Sequence, residues 1–249
     1  MAGRTPFGGS GFRGERGAAV IKRLRFATRS PQLSFDGFAR QWPLLCAAAA
    51  DAPSGLRPVR VAVCTVLPDL TGPDARHDGV VAEWFRDIRH LRRHDRWRSR
   101  RDDAAETVTL PARATEVIAR EQVLRGGDWL RHRWDDGGDR LKHMAVAVRA
   151  ANLTPEEFAA RWTAHAGTVR RPGAATVAIP DSARGRAYVQ NHPVAATRTA
   201  YDAVNEVYFD DLTGLRTRID WFRAHGPTGP DELFERSWFL AAREVVLSG

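Results

Sequence analysis

Thr154-Pro155-Glu156-Glu157-Phe158-Ala159-Ala160-Arg161-Trp162 has a counterpart 120 residues earlier, in Ser34-Phe35-Asp36-Gly37-Phe38-Ala39-Arg40-Gln41-Trp42. In both stretches a hydroxyl residue is followed, at the same spacing, by Phe-Ala and then by Trp. Leu141-Lys142-His143-Met144 precedes the later stretch as Ile21-Lys22-Arg23-Leu24 precedes the earlier one. Internal repeats at a fixed offset decide the organisation of a fold.

The match continues downstream at nearly the same offset. Arg243-Glu244-x-Val246-Leu247 follows Arg120-Glu121-x-Val123-Leu124 by 123 residues, and six further positions recur at a shift of 124. These are Asp78, Trp84, Phe85, Leu91, Arg92 and Trp97, matched by Asp202, Tyr208, Phe209, Leu215, Arg216 and Trp221. Copies of roughly one hundred residues indicate tandem domains, because solenoid units run about 20 to 50 residues.

We therefore predict a Gly- and Arg-rich flexible tail over residues 1–18, a first domain over 19–125, a linker over 126–140 and a second domain over 141–249. The chain has 249 residues, of which 43% are hydrophobic, enough for a sizeable core. Cys46 and Cys64 are the only cysteines, so neither a disulfide framework nor a zinc knuckle is indicated. With no apolar run long enough to span a membrane and no apolar leader, we expect a soluble, cytoplasmic protein.

The formal charge of +8 raises the question of nucleic-acid binding. Eight arginines fall within residues 86–101, whereas the corresponding helix of the second copy carries Asp210, Asp211 and Asp220. A function common to both copies does not need these arginines. We expect a solvated helix face and no nucleic-acid partner, with an accessory or binding protein that uses this basic helix as an alternative.

Hydrophobic periodicity predicts strand, helix, strand, strand, helix, strand in each copy. The predicted elements are 20–28, 34–50, 59–67, 79–85, 88–98 and 115–124, then 141–150, 154–170, 187–193, 203–209, 212–224 and 239–247. Ser34 and Thr154 are the predicted caps of the first helix of each copy. The order βαββαβ is that of ferredoxin-like units, which leave one sheet face bare. We predict an α+β fold in which two tandem units pack sheet to sheet as an intramolecular α/β barrel.

The second copy resembles an EthD domain of the dimeric α/β-barrel superfamily. The resemblance rests on five stretches, covering about one hundred residues, namely 141–149, 154–166, 188–191, 201–209 and 243–246. The first copy is a degenerate partner: Leu45 stands where His165 would fall, and Ala82 where Glu206 would fall. Retention of these polar groups in the second copy predicts one working site there, with the first copy as scaffold.

Helical spacing places Phe158, Trp162 and His165 on one face, toward the sheet. A histidine there either satisfies a buried hydrogen bond or lines a cavity and transfers protons. On the predicted strand 203–209, Glu206 and Tyr208 share one face, which we expect to meet the same space as His165. Glu206 would then orient the imidazole, or alternatively form an ion pair with Arg149 or Arg243.

The resemblance implies an enzyme of secondary metabolism or catabolism that works without a cofactor on an aromatic or polyketide-like substrate, although some members of the superfamily bind haem. A cyclase, dehydratase or isomerase with His165 and Glu206 as catalytic residues is the leading hypothesis, and a cofactor-free monooxygenase is the alternative. The implied substrate-binding residues are Trp162, Tyr188, Asn191, His192, Tyr208 and Phe158. No metal site is expected, and a homodimer of the whole chain is left open.

Overall fold

The computed structural model describes residues 20–72, 75–100, 108–110, 115–136, 139–169, 175–194, 199–226 and 230–248. The predicted tail 1–18, Arg101 of the basic segment and Arg170 at the predicted end of a helix lie outside them. The strands are β1 (Ile21–Ala27), β2 (Arg60–Val66), β3 (Gly79–Phe85), β4 (Thr115–Arg125), β5 (Asp139–Arg149), β6 (Thr168–Val169), β7 (Val177–Ala178), β8 (Ala187–Pro193), β9 (Ala203–Phe209) and β10 (Phe234–Ser248). The helices are α1 (Phe35–Ala50), α2 (Pro68–Thr71), α3 (Ile88–Arg98), α4 (Gly127–Asp136), α5 (Pro155–Ala164), α6 (Asp181–Arg184) and α7 (Leu212–His225).

Within the described residues, eight strands close into an antiparallel barrel in the order β1, β3, β2, β10, β5, β9, β8, β4. Strands β4, β1, β3 and β2 form one four-stranded sheet, and β10, β5, β9 and β8 form a second in the equivalent order. The two sheets join at their edges, β2 with β10 and β4 with β8. The fold is therefore α+β, and we call β1 to β4 with their helices the first half and β5 to β10 with theirs the second half.

Both faces of the sheets are buried, one inside the barrel and the other beneath the helices. Leu24, Ala82, Met144, Val204 and Leu240 belong to one apolar cluster within the barrel. The outward faces pack against helices, as Val81 and Val63 do around Trp42 of α1. An antiparallel strand with alternating side chains thus contributes to two cores at once.

The helix caps follow the predictions. Thr154 Oγ1 accepts a hydrogen bond from the Glu157 amide, and the Glu157 carboxylate accepts one from the Thr154 amide, which completes a capping box. Ser34 Oγ accepts from the Gly37 amide at 3.1 Å in the first half. These bonds satisfy amides that the first helical turn leaves without partners.

Two local predictions were wrong. Helix α5 ends at Ala164 rather than near residue 170, and Gly167, with φ of +82°, lies in the turn that leads to β6. Much of the segment 126–140, predicted to be a surface linker, forms α4, whose Arg133 is 2% exposed and pairs with Glu244. Trp134 of α4 packs edge-on against Trp84, with ring centroids 5.3 Å apart.

None of the helices among the described residues is both long enough and apolar enough to cross a membrane.

Candidate active site

A cavity of about 610 Å³ lies mainly in the second half, between the outward face of the sheet and helices α5 and α7, and the end of β4 from the first half also contributes to its lining. Its floor is made by side chains of β5, β9 and β10, among them Ala145, Asn205 and Phe239. Trp162 of α5 and Phe222 of α7 form parts of its walls. Binding sites for small molecules commonly occupy about 300 to 1,000 Å³, so the space suits an organic ligand.

His165 lines this cavity at the end of α5, which is one of the two placements that helical spacing allowed. Its backbone conformation is still helical, with φ of −80° and ψ of −3°, and its amide donates to the Arg161 carbonyl at 3.0 Å. The side chain therefore keeps the helix face that Trp162 shares. Thr168 Oγ1 lies 3.5 Å from His165 Nδ1 and donates to the His165 carbonyl at 2.9 Å.

Small side chains on the strands create the open space. Ala145 and Val207 stand at the positions that correspond to Arg25 and Glu83 of the first half. In the first half, Arg25 Nε donates to Glu83 Oε2 at 3.0 Å, in an ion pair that lies between sheet and helices. Arg23 Nε also reaches Glu83, at 2.8 Å. Charged side chains thus occupy, in the first half, positions that line a cavity in the second.

One side of the cavity is cationic. Arg125, Arg184 and Arg218 all contribute to its lining. Arg218 Nε donates to His143 Nδ1 at 3.0 Å, and its Nη1 donates to the Ala183 carbonyl at 2.7 Å. Burial lowers the pKa of Arg218 to about 9, and the positive charge of Arg125 contributes to the same shift.

Tyr188, which was predicted to contact the substrate, also lines the cavity. Its hydroxyl oxygen accepts hydrogen bonds from Gln190 Nε2 at 3.0 Å and from Asn205 Nδ2 at 3.1 Å. Burial raises the pKa of the phenol. The hydroxyl is therefore protonated at neutral pH, and with two donors already on its oxygen, its own proton is available to another acceptor.

Glu206 and Tyr208 do not meet His165, and their predicted placement beside it was wrong. Both lie fully buried inside the barrel, on the opposite face of β9 from Asn205 and Val207. The Glu206 carboxylate accepts hydrogen bonds from Lys22 and Lys142. Burial by itself raises the pKa of this carboxyl, but the two ammonium groups outweigh that effect and hold the pKa below its usual value. Glu206 is thus an ionised member of the barrel interior.

The ion pairs proposed as an alternative for Glu206 were also different from those found. Arg149 Nε pairs with Asp202 at 3.1 Å, and the partners of Glu206 are lysines. Lys142 also pairs with Glu244, and Lys22 pairs with Glu121 at 2.7 Å. Buried charges with several partners of opposite sign satisfy the requirement that charges inside a protein be paired.

Three other predicted ligand-contacting residues lie outside the cavity lining. Asn191 faces the barrel interior, where its Nδ2 donates to the Val204 carbonyl and to Glu206, both at 3.0 Å. Phe158 lies in the core beneath α5 and stacks on Trp162, with centroids 5.9 Å apart. His192 contacts the same tryptophan, at 4.8 Å between ring centroids, and burial lowers its pKa.

Arg218, Arg125, Arg184 and Asn205 line the cavity and were not predicted from the sequence as site residues. For Arg218 a signal was present: Leu215 and Ile219 mark the buried face of α7, and Arg218 falls on that face. A charged residue within an apolar helical stripe is a sign of function or of a buried partner. For Asn205 the signal was its position next to Glu206 on the predicted strand, because neighbouring side chains of a strand lie on opposite faces.

The two histidines of α3, the two cysteines and the arginines of α3 lie outside the cavity lining. His90 and His94 are both buried against Phe85, and His94 Nδ1 lies 3.1 Å from the Leu56 carbonyl. Burial raises the pKa of the Cys46 and Cys64 thiols, which lie within the core. Five of the arginines from 86 to 96 are exposed on or beside α3. Across the described ranges, no three His, Cys, Asp or Glu side chains are arranged to hold a metal ion.

Comparison with known proteins relates this geometry to a fold. No family model and no curated protein matches the chain. An anthrone oxidase-like protein of known structure has a TM-score of 0.53 and 10% sequence identity, with 94% of this chain and 95% of that chain covered. A monooxygenase candidate from Lactobacillus acidophilus gives a TM-score of 0.44 at 10% identity, with 92% and 97% covered. A chlorite dismutase variant from Candidatus Nitrospira defluvii gives 0.43 at 9%, with 91% and 92% covered.

The likeness to the anthrone oxidase-like structure shows the fold, a dimeric α/β barrel of ferredoxin-like sheets. The more specific EthD assignment stays a prediction.

Proposed function

We propose that this protein is a cofactor-independent enzyme that acts on an aromatic or polyketide-like small molecule by general acid-base chemistry, with His165 as acid or base. The cavity beside His165 is the observation that carries the proposal. Its lining is mainly apolar, with Trp162 and Phe239 among the aromatic contributors, and an imidazole reaches it from the end of α5. A mainly apolar cavity with a few polar groups is the usual form of a small-molecule site.

Histidine suits such chemistry because its ordinary pKa lies close to physiological pH. In an isomerisation, the imidazole would take a proton from an enolisable carbon and return it to another atom of the same substrate. In a dehydration, the carbanion would form a C=C bond as the neighbouring C–O bond breaks, and the leaving hydroxyl group would take the same proton and depart as water. In a cyclisation, the carbanion would attack a carbonyl carbon of the same substrate, and the alkoxide that results would take the proton. All three schemes are balanced in protons and electrons without a cofactor.

The single-site hypothesis takes support from the contrast between the halves. The first half has Leu45 at the position that corresponds to His165 and the Arg25–Glu83 ion pair at positions that line the cavity in the second. We expect one ligand per chain.

We further propose that the halves arose by tandem duplication and that the second is of EthD type. Equivalent contacts support a common origin. Arg29 bonds the Asp78 carboxylate through its amide and its Nε, and Arg149 bonds Asp202 through the same two groups. In each half, the arginine also donates from Nη1 to the carbonyl four residues on.

The test uses 1,8-dihydroxyanthrone, whose central methylene carbon is readily enolised. In D₂O under argon, we expect the protein to accelerate exchange of the methylene protons, and we expect His165→Ala to reduce that rate by about 10² to 10⁴. His132→Ala, at an exposed position of α4, is the matched control and should retain the wild-type rate. No acceleration by the wild type would reject this substrate class. Loss of folding in His165→Ala would favour a structural histidine.

A cofactor-free monooxygenase working in the same cavity is the second candidate, and the fold shared with an anthrone oxidase-like protein is the observation that favours it. In this case the substrate carbanion itself supplies the electrons to oxygen: one oxygen atom becomes a new carbonyl on the former methylene carbon, and the other leaves as water with the two methylene protons. Stoichiometric oxygen uptake with 1,8-dihydroxyanthrone in air would identify it, whereas proton exchange without oxygen uptake would support the acid-base enzyme.

If a haem were bound instead, His165 is the cavity-lining histidine among the described residues that would ligate its iron, and a Soret band would report it.

A further inference from the structure

Arg218 stands apart from the other buried cations of the described chain. Lys22, Lys142, Arg23 and Arg133 are each paired with at least one carboxylate. Arg218 is 6% exposed, and no described carboxylate lies within ion-pair distance of it. A buried charge without a partner of opposite sign is costly, so its retention requires an explanation.

The neighbours of Arg218 do not neutralise it. His143, which accepts from its Nε, is buried, and both that burial and the arginine hold the pKa of the imidazole well below its usual value. His143 is therefore neutral. The Ala183 carbonyl occupies Nη1, and Phe222 lies under the guanidinium at 4.5 Å from its ring centroid. Within the described residues, Nη2 makes no hydrogen bond and is available to a ligand in the cavity that Arg218 lines.

Arg125 brings a second guanidinium to the same cavity from the end of β4. Its Nη2 donates to the Arg184 carbonyl, and its Nε is buried with no partner in the described chain. Burial lowers its pKa, and Arg184 adds to that shift. As with Arg218, no described carboxylate pairs with it. The guanidinium groups of Arg218 and Arg125 therefore have no anionic partner among the described residues, and the cavity that both line has room for one.

Tyr188 supplies a third donor. Its oxygen already accepts from Gln190 and Asn205, so the phenol proton is free for an acceptor in the cavity. Two guanidinium groups and a phenol O–H match a carboxylate, whose two oxygens offer about four acceptor positions.

We propose that the cavity recognises an aromatic carboxylate, with Arg218, Arg125 and Tyr188 binding its anionic group. The inference rests on the proposed function, since it specifies the substrate class of the same cavity. The carboxylate would be held by donors on β4, β8 and α7, while the ring would lie among the apolar walls that include Trp162. Arg218, Arg125 and Tyr188 are then ligand-binding residues, and proton transfer is assigned to His165.

The test measures the binding of 2-naphthoate and of its neutral counterpart 2-naphthamide by calorimetry on the whole chain. We expect the wild type to bind naphthoate about tenfold or more tightly than naphthamide. Arg218→Gln should weaken naphthoate binding by about the same factor and leave naphthamide within about twofold. Arg125→Gln should act in the same direction and serves as the second variant if Arg218→Gln does not fold. Arg223→Gln, at an exposed position of the same helix, should leave both affinities unchanged.

Equal affinity of the wild type for the two probes would overturn the inference, as would unchanged naphthoate binding in both cavity variants or failure of naphthoate to bind. The proposed function is judged separately, by proton exchange in His165→Ala. If His165→Ala lost proton exchange while Arg218→Gln left naphthoate affinity unchanged, the anion site would be rejected and the catalytic role of His165 would stand. Preference for naphthoate that depends on Arg218, with exchange unaffected by His165→Ala, would support the anion site and reject the catalytic role.

Discussion

Lys22 on β1 donates a hydrogen bond to Glu206 on β9 across the interior of the barrel, although these two strands are not neighbours in it. The same carboxylate accepts from Lys142 of β5. A side chain of the second half thus binds a lysine of each half. The buried charged residues at the centre of the barrel therefore link the two sheets to each other and also form part of the core.

The substitution Glu206→Gln should reduce the free energy of unfolding by about 3 to 5 kcal/mol, because it leaves two buried ammonium groups with one carboxylate fewer. Urea unfolding measures the change. The exposed Glu235→Gln is the control and should change stability by no more than about 0.5 kcal/mol. If Glu206→Gln abolished turnover while stability stayed the same, the original prediction of a catalytic Glu206 would be restored.

Stability should fall as the pH decreases from about 6.5 toward 4. Burial lowers the pKa of His77 to about 4, so the unfolded chain takes up this proton before the folded one does. His77 adds no pH dependence to stability above the pKa that it has in the unfolded chain, and its destabilising effect is complete below about pH 4. His143, whose pKa is also low, contributes in the same direction.

Urea unfolding at several values between pH 7 and pH 4.5 tests this prediction. One proton contributes at most about 1.4 kcal/mol per pH unit. His77→Gln, which can keep a hydrogen bond to the Tyr201 hydroxyl, should flatten the slope. A slope identical to that of the wild type would show that His77 is not responsible.

Gly126→Ala should destabilise the protein by about 1 to 3 kcal/mol, because a non-glycine residue is strained in this backbone conformation. Gly126 has φ of +74°, and a Cβ there would lie 2.3 Å from the Arg186 carbonyl oxygen. Gly55 has open space around it and serves as the control. Thermal unfolding of Gly126→Ala and Gly55→Ala should separate the two variants clearly; equal melting temperatures would contradict the prediction.

Ala145→Phe should close the cavity without unfolding the protein. Ala145 lies on the cavity floor, paired with Phe239 of one neighbouring strand and Asn205 of the other, so the added ring would enter empty space. We expect binding of 2-naphthamide to weaken by about tenfold or more, since each tenfold loss needs only about 1.4 kcal/mol. Ala164→Phe, exposed on α5, is the matched control. Unchanged binding in Ala145→Phe would place the ligand elsewhere.

Both thiols should be inert in the folded protein. Burial raises the pKa of Cys64 to about 12 and also raises that of Cys46, so neither forms the thiolate that reacts with disulfide reagents. A colorimetric thiol assay should find no reactive group under native conditions and two in denaturant, the full cysteine content of the chain. Rapid native labelling would show that one of the two sites is open.

Alternation along the strands predicted most of their bounds to within about two residues, although β10 begins at Phe234 instead of the predicted 239. It did not predict which face turns inward. On β9, Val204 and Tyr208 are buried on one face and Ala203, Val207 and Phe209 on the other. Because both faces of β9 are apolar, the alternation of its side chains does not show which face points into the barrel. Glu206 was consequently assigned to the wrong face, since a charged barrel interior cannot be recognised from one strand.

The helix α4 was missed for a related reason. The glycines and charges of residues 126–140 indicated a connector, and they outweighed Trp129, Leu130 and Trp134, whose spacing suits a helix with a buried face. Their partners, Tyr208 and Trp84, come from distant parts of the chain. His165, by contrast, was placed correctly because local helical spacing relative to Trp162 decides its direction.

The unequal residues at the centre of the barrel also affect whether two chains could exchange their halves. Glu206 faces the interior from β9, whereas Ala82, at the corresponding position of β3, presents a methyl group. Two first halves brought together from different chains would have no carboxylate at this point, and two second halves would have two. Only a first half with a second half gives two lysines and a single shared carboxylate. A chain whose two halves differ at this position would in this way favour pairing within itself over domain swapping.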